Sequence, residues 1–181
     1  MPRIIVIGSS CAGKTTLAEE LSKQLGIPHI QLDALNWKSD WVERDHGEFL
    51  DLLADRLERN ENWIIDGNYS RTRPLTWPLA DTIIWLNYSF VVVLSRALRR
   101  TIRRVVKKEI LYSGNTETFR RSFLSRDSIL LWVLISFHRR RREYRVLLEK
   151  AKSTGVKVIE IQKSREIYNL ADHLRHIGSE V

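Results

Sequence analysis

The apolar positions along the chain change their period several times, and each change marks an element. "RIIVI", residues 3–7, is a continuous β-branched run ended by Gly8, the pattern of a strand buried on both faces in a parallel sheet. Leu17, Ala18, Leu21 and Leu25 then fall at helical spacing, and Gly26 closes that helix ahead of Pro28. A second strand is expected over "HIQLD", ending on Asp33. A helix follows over about residues 44–60, with Phe49, Leu50, Leu53, Ala54 and Leu57 as its buried stripe. "NWIID" predicts a third strand ending on Asp66, before the loop "GNYSRTRP"; "DTIIWL" predicts a fourth, and "VKVIEI", introduced by Gly155, a fifth. Between the last two strands the pattern reads as two long helices, about residues 90–110 and 128–152. They are joined through "YSGNTETFRRSF", whose Gly114, Asn115 and hydroxyl residues mark it as the expected mobile segment. A last helix is expected over about residues 165–177.

Alternating strands and helices predict a single α/β domain over residues 1–181, with a parallel sheet covered by helices on both faces. Its 43% hydrophobic residues suffice for one well-buried core. In such sheets the ligand lies beyond the carboxyl ends of the strands, and Gly8, Asp33 and Asp66 all fall at such ends. The run "TIIWL" with "FVVVL" and the run "SILLWVLISF" both stop short of the roughly 20 residues of a spanning helix, so both read as core and no membrane span is expected. The strand-like start lacks the order of a secretory signal peptide, and the only cysteine, Cys11, allows no internal disulfide and no Cys-built metal site. The cytosol is the expected compartment. No histidine shows metal-ligand spacing.

Charge changes the picture more than composition does. The net charge of +8 is concentrated in Arg96, Arg99, Arg100, Arg103, Arg104, Lys107 and Lys108, and again in Arg139 to Arg142 with Arg145. A solvated helix face mixes signs, whereas no acid stands between Arg96 and Lys108, so an anionic partner is implied.

Gly8, Gly13, Lys14 and Thr15 complete the pattern G-x-x-x-x-G-K-[ST], and a predicted strand precedes it and a predicted helix follows. Glycines let the loop wrap an anion, successive N–H groups and the helix N-terminus supply positive partial charge, Lys14 adds a full charge, and Thr15 offers a hydroxyl to Mg²⁺. ATP or GTP with magnesium is the expected ligand, held by Gly8, Ser9, Ser10, Cys11, Ala12, Gly13, Lys14, Thr15 and Thr16. Cys11 has no histidine nearby in sequence to activate it, and a small side chain is all the loop demands there. Neither an N-K-x-D guanine motif nor an Asp-Glu pair closing the strand at Asp66 is present, which disfavours GTPases and remodelling ATPases.

With "IIDGNYSR", which keeps Asp66, Gly67 and a nearby Arg71, and "SRALRR", which places Arg96 and Arg100 four apart, the chain resembles P-loop kinases of the nucleoside monophosphate kinase-like group. "LDALNW", "WIIDGNY" and the arginine-rich helix pair look most like bacterial topology-modulation and adenylate-kinase-related proteins. The resemblance implies a P-loop NTPase three-layer sandwich with sheet order 2-3-1-4-5 and a helical lid, here about residues 96–145. It implies Asp66 and Thr15 at magnesium, Lys14 in catalysis, and Arg96 and Arg100 neutralising transferring charge. The chain departs from adenylate kinases where "QLDALNWKSDW" replaces their AMP-binding segment, and an aspartate at Asp33 is similar instead to shikimate and gluconate kinases, whose acceptor is a hydroxyl. A hydroxyl benefits from a carboxylate that takes or orients its proton, whereas a phosphate acceptor needs arginines. Asp33 therefore argues for a hydroxyl and the arginines for a phosphate, and a substrate carrying both satisfies each. Trp37 and Tyr69 flank that acceptor site together with Trp41, Arg71 is placed for substrate phosphate, and Arg139 and Arg142 converge from the second long helix. The expected function is ATP-dependent phosphoryl transfer to a small acceptor. The alternative is a nucleic-acid-associated regulator that binds ATP and contacts nucleic acid through the arginine helices.

Overall fold

The computed structural model describes residues 2–107, 112–114, 129–168 and 170–177. Its strands are β1 (Arg3–Gly8), β2 (His29–Gln31), β3 (Trp63–Asp66), β4 (Thr82–Leu86) and β5 (Lys157–Ile161). Its helices are α1 (Lys14–Leu25), α2 (Leu32–Asn36), α3 (His46–Glu58), α4 (Arg73–Thr76), α5 (Phe90–Lys107), α6 (Ile129–Ser153) and α7 (Leu170–Ile177). The strands form one sheet in the expected order, β2-β3-β1-β4-β5, with every pairing parallel.

Because successive side chains of a strand point to opposite faces, the apolar run of β1 divides between two cores. Ile4 and Val6 join Ile64 and Ile84 on the face covered by α1, α5 and α7. Ile5 and Ile7 join Ile65 and Ile83 on the face covered by α3. Each such fully buried side chain contributes about 2 kcal/mol of transfer free energy. Helix α6 serves both cores, with Val133 and Phe137 in the first and Tyr144, Leu148 and Ala151 in the second.

Strand β2 stops at Gln31, opposite Asp66, rather than running on to Asp33. A Cβ on Gly67 would stand 2.7 Å from Leu32 Cβ, so Leu32 fits over bare backbone there, and the chain turns into α2 with Asp33 in its first turn. Helix α3 begins at His46, because the Asp45 carboxylate caps it by accepting from the N–H groups of Gly47 (2.8 Å) and Glu48 (3.4 Å). Of its five expected buried positions, Phe49 and Leu53 are enclosed and Leu50, Ala54 and Leu57 are half-buried. The loop after Asp66 contains a 3-10 turn, Ser70–Thr72, and the short α4; residues 164–177 divide into a 3-10 turn, Ser164–Ile167, and α7.

The two apolar runs tested for membrane length are only partly core. "TIIWL" is buried throughout as β4, but Val91 is 73% exposed beside buried Val93, and Ile135 is 66% exposed beside buried Val133 and Phe137. Each helix buries one meridian, so a continuous apolar run in a helix leaves its outer members outside. Among the described residues no helix is long and apolar enough to cross a membrane. Lys108, residues 115–123 of the expected joint, and the corresponding middle of the expected lid lie outside the described residues.

Candidate active site

The cradle is built where β1 hands over to α1. Gly8 has φ 153°, and a Cβ there would lie 2.8 Å from the Leu86 carbonyl oxygen, so the strand end tolerates no side chain. The loop closes through the Ala12 N–H on the Ser9 carbonyl (3.1 Å), and Gly13, at φ 98°, delivers the chain into α1. Lys14 folds over its own loop, its Nζ donating to the carbonyls of Gly8 (3.3 Å) and Ser9 (3.2 Å). Burial lowers the Lys14 pKa from its ordinary value; the charges of Asp33 and Asp66 oppose that shift, and that of Arg140 adds to it. An anion bound in the loop would favour the charged form of the lysine.

Thr15 donates its hydroxyl proton to Asp66 Oδ2 at 2.6 Å. The other carboxylate oxygen, Oδ1, lies 2.8 Å from His29 Nε2. Asp66 is 2% exposed, so both partners offset the cost of its burial. With its proton committed to Asp66, the Thr15 hydroxyl keeps lone pairs for a cation. Two oxygen donors beside a phosphate cradle suit Mg²⁺, which takes few protein ligands and completes its shell with phosphate and water. Among the described residues no cluster of three potential metal ligands occurs.

A cavity of about 660 Å³ opens over the cradle, lined by Ser10 to Leu17, Asp33, Tyr88, Ile167 and, from α5, Arg96, Arg99, Arg100, Arg103 and Arg104. Arg96 is held on protein. Its Nη1 donates to the Ala12 carbonyl (2.6 Å), its Nη2 donates to Ser164 Oγ (2.9 Å), and its guanidinium stacks 4.3 Å above the Tyr88 ring. It braces the cradle from the α5 side. Arg100, one turn on, faces Cys11 Sγ at 3.8 Å.

On the acceptor side Asp33 lines the same cavity and accepts a hydrogen bond from Tyr69 Oη at 2.7 Å. Burial first, then the Asp33 carboxylate, holds the Tyr69 phenol far above its ordinary pKa, so Tyr69 is a constant donor. Arg71 donates to Asn36 Oδ1 and lies 4.5 Å over the Phe49 ring. Trp37 packs edge-to-face on Trp41, ring centroids 5.7 Å apart, and is not among the residues lining the cavity. Arg139 and Arg142 are exposed, whereas Arg140 is half-buried and close enough for its charge to act on Lys14.

Four participants were not singled out from the sequence. Asn68 clamps the start of the cradle, its Nδ2 donating to the Gly8 carbonyl at 2.5 Å and its Oδ1 accepting from the Gly8 N–H at 3.4 Å. Tyr88 carries Arg96. His29 holds Asp66, and Arg140, half-buried where Arg139 and Arg142 are exposed, acts by its charge on Lys14. For Arg140 a signal existed. Val133, Phe137, Arg140, Tyr144, Leu148 and Ala151 follow one another at three or four residues, and all but the arginine are buried apolar groups on one meridian.

No protein-family model matches the chain, and no curated protein matches it. In three dimensions it is similar to shikimate kinase from Bacteroides thetaiotaomicron, known from a 1.7 Å crystal structure, at 17% identity over 98% of each chain with a TM-score of 0.50. Likeness at that identity is one of architecture, and with the parallel order β2-β3-β1-β4-β5 it places this chain in the P-loop kinase fold.

Proposed function

We propose that this chain is an ATP-dependent phosphotransferase whose acceptor is a small molecule bearing a hydroxyl and, near it, an anionic group. One observation carries the reading: the Asp33 carboxylate, fixed by the Tyr69 hydroxyl, lines the same cavity as the phosphate cradle and acts electrostatically on Lys14. The cradle N–H groups and Lys14 hold the donor phosphates. Asp33 accepts the acceptor's hydroxyl proton as the oxygen turns on the γ-phosphorus, and Tyr69 keeps that carboxylate aimed. Thr15 and Asp66 would hold Mg²⁺, which when bound would supply charge neutralisation to the phosphate oxygens. Arg100 and Arg140 bring positive charge towards the same space from α5 and α6, Arg96 fixes the loop they face, and the anionic group of the acceptor answers the surplus. The shikimate kinase it resembles in fold supports an acceptor of this size.

A screen of nucleotides, nucleosides, sugars and small hydroxy acids with ATP and Mg²⁺ tests the reading. An acceptor-dependent release of ADP with a phosphorylated product is expected. Asp33→Asn should then lower kcat by about a hundredfold or more while leaving nucleotide affinity unchanged. ATP binding with no transfer to any member of the screen overturns the reading. Contact with nucleic acid through the exposed Arg99, Arg103, Arg139, Arg142 and Arg145 would instead show as binding that falls steeply with salt.

A further inference from the structure

We propose that His29 is a positioning residue that fixes the Asp66 carboxylate for the magnesium ion accompanying the nucleotide; the inference rests on the phosphotransferase reading above. In β2, Ile30 enters the core on the α3 side of the sheet, which turns His29 and Gln31 to the opposite face, the side of α1. That position in a strand beside a buried partner ordinarily takes an apolar side chain. Both are polar here, and both reach the same pair of groups: His29 Nε2 lies 2.8 Å from Asp66 Oδ1, and Gln31 Nε2 donates to Thr15 Oγ1 at 3.4 Å.

An aspartate carboxylate rotates in a broad, two-fold torsional well, so one hydrogen bond from Thr15 to Oδ2 leaves its plane poorly defined. A second bond to Oδ1 fixes that plane. Asp66 is an acceptor there, so His29 Nε2 carries the proton and donates it. The two side chains are 13% and 3% exposed, which leaves little room for water to replace the imidazole. His29 thus defines where the remaining lone pairs of Asp66 point, and they are what an ion at Thr15 meets. Outer partners of metal-holding groups are worth about ten- to a hundredfold in metal affinity.

The test is the affinity of a fluorescent ADP analogue measured with Mg²⁺ and with EDTA, in the full chain and its variants. His29→Leu should lose about tenfold of the magnesium enhancement while its affinity in EDTA stays within about twofold. His29→Gln, whose amide reaches about as far as Nε2, should restore most of the enhancement. His29→Asn, too short to reach, should behave like His29→Leu and provides a polar variant should leucine disturb folding. Equal loss in EDTA and in Mg²⁺, or full enhancement in His29→Asn, overturns the inference. Asp66→Asn separates the two claims: if it retains the enhancement, Asp66 does not hold the ion and the reading of that carboxylate falls, whereas loss in Asp66→Asn beside full enhancement in His29→Leu and His29→Asn overturns the role of His29 alone.

Discussion

The donor and acceptor halves of the site are built in opposite ways. The proposed donor cradle is one contiguous stretch, Gly8 to Thr16, which turns tightly between β1 and α1 through Gly8 and Gly13 at positive φ. The acceptor half is collected from distant places: Asp33 and Asn36 on α2, Tyr69 and Arg71 after β3, and Arg140 on α6. Residues 67–73 tie the halves together. Asn68 holds Gly8, Tyr69 holds Asp33, Arg71 holds Asn36, and Arg73 pairs with Glu143 of α6. On the proposed reading, phosphate binding rests mainly on one local stretch of chain, while acceptor recognition rests on side chains held by other side chains. The two halves should respond differently to substitution.

The largest effect is expected inside the cradle. Lys14→Met removes the one full positive charge of the loop, and transfer should fall by about a thousandfold, the upper range for a single oxyanion donor. Stability should hold, because the lysine is buried at a cost that depresses its own pKa and the substitution removes that cost. Rates of product formation and thermal melting, measured together, check both. A variant within tenfold of the wild-type rate would mean that the donor half does not depend on the cradle.

The same contrast decides what could be read from the sequence. The sheet order and the cradle were legible because each rests on residues adjacent in sequence: "RIIVI" before "GSSCAGKTT", and apolar runs closed by turn residues. The limits of β2 were not, since the stop at Gln31 depends on Leu32 meeting Gly67, a contact between residues 35 positions apart. Asp33 and Tyr69 were singled out separately, yet their hydrogen bond makes one device of them, and sequence spacing carries no trace of it. Asn68 stood in a quoted motif without a role, because a side chain that clamps Gly8 from 60 positions away is invisible until β3 and β1 are neighbours. The exposed members of "SILLWVLISF" were misjudged for a simpler reason: a solid apolar run has no phase.

The next effect concerns the joint between the halves. Asn68→Ala removes the acceptor of the Gly8 N–H and leaves the Gly8 carbonyl only its longer bond from Lys14 Nζ, and should cost about 1–3 kcal/mol of stability. Nucleotide affinity should weaken by about tenfold, a fraction of that same free energy expressed at the cradle. Calorimetric unfolding and nucleotide titration read the two numbers. If affinity is untouched, the cradle is fixed by β1 and α1 alone, and the loop from Gly67 belongs only to the acceptor half.

The smallest effect is expected furthest from the chemistry, where Arg73 Nη1 meets Glu143 Oε1 at 2.6 Å. The arginine is 19% exposed and the glutamate 41%, so solvent screens the pair, and its coupling should be about 0.5 kcal/mol, falling as salt is added. Arg73 also stands 5.7 Å over the rings of both Trp77 and Tyr144, so Arg73→Gln alone mixes lost charge with lost packing. A double-mutant cycle of Arg73→Gln with Glu143→Gln isolates the pair. The coupling bears on the comparison, because Glu143 lies on α6 three residues from Arg140, whose charge acts on Lys14, and its pair with Arg73 ties that helix to the loop after β3. A coupling near zero leaves α6 placed by its apolar stripe, with the acceptor half completed only when substrate arrives. A coupling well above 1 kcal/mol would mean that α6 is locked to the loop in advance, and that the acceptor half is as preformed as the donor half.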